Sequence, residues 1–162
     1  METTEALYTA KALFTNYWLM STVFAWLIAQ FLKIFTGIFR QRDFSVRALF
    51  FGTGGMPSSH TASVTALCTA ICVTEGFASP LVAIAGLFCI IVMNDATGVR
   101  RETGKQSTAL NLILEKMFTD KPENLSQHYR ELIGHTPLQV VCGAITGVVV
   151  ALLTRLIPVF AG

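Results

Sequence analysis

Charge is scarce in this chain. Asp, Glu, Lys and Arg make up 14% of its 162 residues, where a soluble domain carries about 25%. Hydrophobic residues make up 52% and the mean hydropathy is +0.57. The deficit excludes an ordinary water-bathed surface and points to one that faces lipid. Cysteines are few and unpatterned. Cys68, Cys72, Cys89 and Cys142 each sit in an apolar run, with no C-x-x-C pair and no His or carboxylate at ligand spacing, so they read as small buried hydrophobes and not as disulfides or metal ligands. Acidic clusters of the kind that hold magnesium are missing, and neither a metal nor a cofactor is expected. The start, Met1-Glu2-Thr3-Thr4-Glu5, lacks the basic leader of a signal peptide, so the first apolar segment is expected to be retained as a membrane helix. No internal repeat or low-complexity tract breaks the chain, which reads as one domain, 1–162. The net charge of +2 gives no reason to expect a nucleic-acid partner.

Four apolar segments are present, at about 14–38, 60–77, 79–94 and 137–160. A spanning helix needs about 20 apolar residues. The first and fourth meet that length; the second and third are short, and full spanning with tilt or local thinning is the expectation for both. Two polar stretches, 39–59 and 95–136, lie between them. Within the second, Ala109-Leu110, Leu112-Ile113-Leu114 and Met117-Phe118 suggest an amphipathic helix, either at the membrane interface or on the solvent side. The fold expected is an all-α integral membrane bundle of about four transmembrane helices with an additional interfacial helix. Four crossings put both polar stretches on one side. Counting Lys33, that side carries ten of the twelve basic residues, leaving Lys11 and Arg155 near the other face. The positive-inside rule makes it the cytoplasmic side.

Two helix starts carry the chemistry. Gly54-Gly55-Met56-Pro57-Ser58-Ser59-His60-Thr61 opens the second apolar segment. A Ser before a helical run is a good N-cap, and free amides with the helix dipole make an anion site there. Gly134-His135-Thr136-Pro137-Leu138-Gln139 opens the fourth. Pro137 suits a first helical turn, and Thr136 with Gln139 has capping-box spacing. His60 and His135 therefore stand at two helix mouths at matched depth. Cations surround them in the sequence: Lys33 near the end of an apolar helix, where a charge needs a partner or must snorkel, Arg40 seven residues later, and Arg100 and Arg101 after the third segment. Such groups stabilise the charge on a phosphoryl group in transfer. Taken singly, each cation fits helix flanking or headgroup contact better than phosphate chemistry.

The ordered set resembles the phosphatidic acid phosphatase type 2 superfamily, which also includes vanadium-dependent haloperoxidases. It is most similar to the divergent bacterial and plant branch described as acid phosphatase/vanadium-dependent haloperoxidase related. The superfamily's first motif is Lys, six residues, Arg-Pro; Lys33 and Arg40 keep the spacing and Gln41 replaces the proline. Pro57-Ser58-Ser59-His60 matches Pro-Ser-Gly-His with Ser59 for glycine. The third motif, Ser-Arg, five residues, His, three residues, Asp, is split here: Arg100 or Arg101 supplies the arginine, His135 follows far downstream, and Gln139 stands at the aspartate position. Asn94-Asp95-Ala96 through Gly104-Lys105-Gln106 is a hallmark of the divergent branch.

The resemblance implies a metal-independent lipid phosphatase. His135 would attack phosphorus to form a phosphohistidine and His60 would protonate the leaving oxygen, giving a bell-shaped pH profile. Lys33, Arg40, Arg100 or Arg101, Ser58, Ser59 and Lys105 would hold phosphate oxygens, with Gln139, Asp95 or Glu131 in support. Phosphatidylglycerol phosphate, phosphatidate and isoprenoid (di)phosphates are candidate substrates, and vanadate would inhibit. Two other classes fit the sequence: a lipid-phosphate binding or transport protein without turnover, and a structural membrane protein self-associating through Gly143 and Gly147, a G-x-x-x-G pair. Those glycines equally suit close packing within one chain.

Overall fold

In a computed structural model of the chain, residues 11–38, 56–98, 102, 104–110, 113 and 136–160 are described. They form four long helices: α1 (Tyr17–Ile38), α2 (Ser59–Glu75), α3 (Pro80–Thr97) and α4 (Pro137–Arg155), followed by a 3-10 turn at Pro158–Phe160. Among the described residues there is no strand, as the all-α reading expects. α1, α3 and α4 are long and apolar enough to cross a membrane. α2, at 17 residues, extends about 25 Å at 1.5 Å per residue. Helical structure over 104–110 covers the start of the expected amphipathic helix; the rest of that helix lies outside the described residues.

The helix boundaries follow from local chemistry. Ser58 caps α2, and its Oγ accepts from the Thr61 amide. α2 ends at Gly76, whose φ of 77° turns the chain without the steric cost that a residue with a Cβ would meet at positive φ. Ser79 then caps α3 with Pro80 at the first position. α4 begins with the full capping box that its spacing predicts: Thr136 Oγ1 accepts from the Gln139 amide at 3.4 Å, and Gln139 Oε1 accepts from the Thr136 amide at 2.9 Å.

The core is built of small residues. Ala25, Ala29, Ala62, Ala66 and Ala151 are fully buried, with Val150 beside them. The large apolar side chains lie outside: Phe31, Ile84, Leu87, Ile91, Ile145 and Leu153 are each more than half exposed. In water this surface would be a severe aggregation liability. In a bilayer the tails are as apolar as leucine, so helices cohere through close contact of small residues instead.

α2 occupies the centre, packed against all three other helices. α4 approaches it along Gly143 and Gly147. A Cβ on Gly143 would stand 2.5 Å from the Ser58 carbonyl oxygen, and one on Gly147 would run into Thr65, Ala62 and the Ala66 amide. The G-x-x-x-G pair thus faces α2 of the same chain. Several hydroxyls on these helices bond back to their own backbone, as Thr65 to Thr61, Thr69 to Thr65 and Thr154 to Val150, at 2.6–2.8 Å. Each such hydroxyl is satisfied without water in a lipid environment.

Candidate functional site

The bundle has two ends, and tertiary hydrogen bonds define both. At one end Trp18 Nε1 donates to Thr74 Oγ1 at 2.8 Å and the Tyr17 hydroxyl to the Ala151 carbonyl at 2.9 Å. At the other, Lys33 Nζ donates to Ser59 Oγ at 3.1 Å, Thr36 Oγ1 to the Met56 carbonyl at 2.6 Å, and the Ser58 amide to the Gln139 carbonyl at 3.0 Å. This second end gathers the last turns of α1, the first turn of α2 and the first turn of α4. Because α3 returns antiparallel to α2 after a short turn, its last residues, Asn94, Asp95 and Thr97, belong to the same end.

Lys33 is half-buried. Its contact with Ser59 superposes a full positive charge on the partial one at the amino end of α2. Among the described residues no carboxylate pairs with it, the ion pair within 4.0 Å being Lys105–Glu102. A cation held in an apolar bundle by a hydroxyl, with no carboxylate partner among the described residues, favours an anionic ligand. Ser59 itself is nearly inaccessible, at 3% exposure, so its Oγ fixes the ammonium. The Ser59 amide, at the first helical position, has no acceptor inside the helix.

Ser58 has a different part. Its side chain is fully buried, and Oγ accepts from the Thr61 amide at 3.4 Å and from Thr61 Oγ1 at 3.1 Å. Its hydroxyl faces the helix, and its main chain ties α2 to α4. His60 follows at the second helical position with an exposed side chain. His135, Arg40, Arg100, Arg101 and Glu131 lie outside the described residues, although Thr136, the next residue after His135, is the N-cap of α4 at this end.

Two sequence expectations acquire detail. Lys105 sits in an exposed ion pair with Glu102 at 2.6 Å, an arrangement worth little in stability. Gln139 has its amide oxygen committed to the capping box, which leaves Nε2 for any neighbour. An amide that donates to one imidazole nitrogen leaves the proton on the other. Gln139 is thereby unsuited to hold a histidine with a free nucleophilic lone pair. Asp95, half-buried in the last turn of α3, is an acceptor of the required kind. The contact between Thr36 and the Met56 carbonyl was not foreseeable, since a main-chain acceptor leaves no mark in the sequence; the hydroxyl near the end of an apolar helix was the only hint.

No solved structure matches the chain. The "Uncharacterized membrane protein YuiD" of Bacillus subtilis (strain 168) is 40% identical over 152 residues, covering 86% of this chain and 94% of that protein. The model of the Divergent PAP2 family matches residues 14–150. On the strength of that match, and of a helical bundle that joins its Lys33, Pro57-Ser58-Ser59-His60 and Thr136–Gln139 segments at one end, the chain belongs to the Divergent PAP2 family.

Proposed function

We propose that the protein is a membrane lipid phosphatase that hydrolyses a phosphate monoester or pyrophosphate on a lipid. The observation that carries the reading is the contact of Lys33 with Ser59, which sets a cation with no carboxylate partner among the described residues at the mouth of the helix that bears His60. In the reaction, an imidazole nitrogen of His135 attacks the terminal phosphorus in line, and its bond to the lipid oxygen of a monoester, or to the bridging oxygen of a pyrophosphate, breaks. His60 gives its proton to that oxygen, and the lipid alcohol or the lipid monophosphate leaves. His60 then takes a proton from water as the water oxygen attacks the phosphohistidine, which releases inorganic phosphate and restores both imidazoles. Lys33, the Ser59 amide, Arg40 and Arg100 or Arg101 neutralise the equatorial oxygens. Asp95 accepts from His135 and keeps its attacking nitrogen unprotonated.

All four helices cross the bilayer in this reading, α2 included. The site faces the cytoplasm, because the polar stretches on that side hold most of the Lys and Arg residues. The head group enters at the surface while its chains stay in lipid.

The test is a phosphate-release screen on purified protein across phosphatidylglycerol phosphate, phosphatidate and isoprenoid phosphates, with His60→Ala and His135→Ala alongside. The expected result is release by the wild type and loss of about a hundredfold or more in each variant. Equal release by all three proteins, or none by any, overturns the enzyme reading. A second reading, binding of lipid phosphates without turnover, is favoured by the commitment of Gln139 to its cap. It predicts that the same lipids bind, dependent on Lys33, with no phosphate released.

A further inference from the structure

The opposite end of the bundle carries a second cation that the phosphatase reading does not use. Arg155 is the last residue of α4. Its guanidinium carbon lies 5.8 Å from the centroid of the Tyr17 ring, within reach of a cation–π attraction. Tyr17 is buried and pinned, because its hydroxyl donates to the Ala151 carbonyl one turn earlier on α4. Phe160, buried by the 3-10 turn, packs edge-on against Phe24 at 6.4 Å and closes the same corner. The guanidinium is therefore held in place by the aromatic ring beneath it.

Among the described residues no acceptor faces it. Nη1 is buried with no hydrogen-bond partner, and among the described residues no carboxylate comes within 4.0 Å of Arg155; Glu75 ends α2 at this end of the bundle without pairing to it. The ring supplies attraction but no lone pair, and the half-charge at the carboxyl end of α4 offsets only part of the guanidinium charge. Five N–H groups in a planar fork match a phosphate oxygen pair. Trp18, only half-buried at the same level, marks the depth of the headgroups.

We propose that Arg155, seated on Tyr17, binds the phosphate of an anionic phospholipid in the leaflet opposite the candidate site. The lipid is a structural ligand: its phosphodiester meets the half-buried guanidinium on the side away from Nη1, and its chains lie along the apolar outer faces of α1 and α4, where Leu152 and Leu156 are exposed. The site is independent of Lys33 and His60, and a phosphodiester offers them no monoester to hydrolyse.

The experiment is a thermal-unfolding titration of the purified full chain in detergent with short-chain phosphatidylglycerol, run beside inorganic phosphate and diacylglycerol. The wild type is expected to gain melting temperature with phosphatidylglycerol alone. Arg155→Gln should raise the half-saturating concentration by about tenfold, and Lys33→Gln should leave it unchanged. An unchanged value in Arg155→Gln overturns the proposal. So does loss of the response in Lys33→Gln, which would put the lipid at the other end, and so does an equal response to inorganic phosphate, which would mean a free-anion site. Should Arg155→Gln fail to fold, Arg155→Lys decides: it keeps the charge without the fork, weaker binding is expected, and a value equal to the wild type overturns the assignment.

Discussion

The amide of Ser58 donates to the carbonyl oxygen of Gln139 across 3.0 Å. These residues lie 81 positions apart in the chain, one leading to His60 and the other following His135. The bond sets the first turns of α2 and α4 side by side, and so joins the segment that bears His60 to Thr136, the N-cap that follows His135 in the sequence. Several measurements test what hangs on that arrangement.

Lys33→Met keeps the stem of the side chain and removes its charge. If Lys33 stabilises the transferring phosphoryl group, phosphate release falls by about a hundredfold while the melting temperature holds or rises, since a half-buried cation is gone. A fall in both together would assign Lys33 a structural part only.

The division of labour between Gln139 and Asp95 is open to a paired test. Gln139→Ala removes half of the capping box and is expected to cost about 1 kcal/mol of stability with turnover changed less than severalfold. Asp95→Asn is expected to reduce turnover by about a hundredfold or more at little cost in stability. The reverse ranking would return the orienting role to Gln139.

Gly147→Ala places a methyl group against Thr65, Ala62 and Ala66. Overpacking of this kind costs about 1–3 kcal/mol, so thermal unfolding in detergent should shift down by several degrees. Gly86→Ala, on α3, meets no atom within 4 Å and is expected to leave the melting temperature unmoved or slightly raised. If the Gly147 variant altered only the oligomeric state and not the unfolding of the monomer, the glycines would be an intermolecular contact instead.

Vanadate adopts the five-coordinate geometry of the attacked phosphorus. It is expected to inhibit phosphate release competitively, and a chelator such as EDTA to leave the rate unaltered. Inhibition by EDTA that added magnesium reverses would contradict direct attack by His135 supported by cations of the chain.

Tyr17→Phe retains the ring under Arg155 and deletes the hydroxyl that donates to Ala151. A loss of about 1 kcal/mol in stability is expected, with turnover at the far end unaffected.

Much of this was readable before any coordinates. The limits of α1 to α4 fall within a few residues of the apolar segments, because lipid imposes a length and Ser58, Thr136 and Pro137 punctuate α2 and α4 in the expected ways, as Ser79 and Pro80 do for α3. The Thr136–Gln139 box was legible from spacing alone. The central position of α2 was not: its Ser, Thr and Ala content reads as weakly apolar, and only neighbours that come close make such a composition an advantage. Gln139 shows a subtler limit. Its position in the motif suggested a partner for His135, while its spacing from Thr136 suggested a cap, and only the geometry shows which of the two its oxygen serves. Bonds to main-chain oxygens, as from Ser58 and Thr36, leave no sequence trace, because every residue offers the same acceptor.

Two side-chain links between α1 and α2, Trp18 to Thr74 and Lys33 to Ser59, lie fifteen residues apart on each helix. The antiparallel pair is therefore clamped like a ruler against its copy, with no slack between the marks. Inserting one residue between the marks on either helix would rotate everything beyond it by about 100°, so that one clamp must open for the other to stay shut. Helix length here is metered from both ends, and an insertion near the lipid-facing middle would be felt at the far mouth of the bundle.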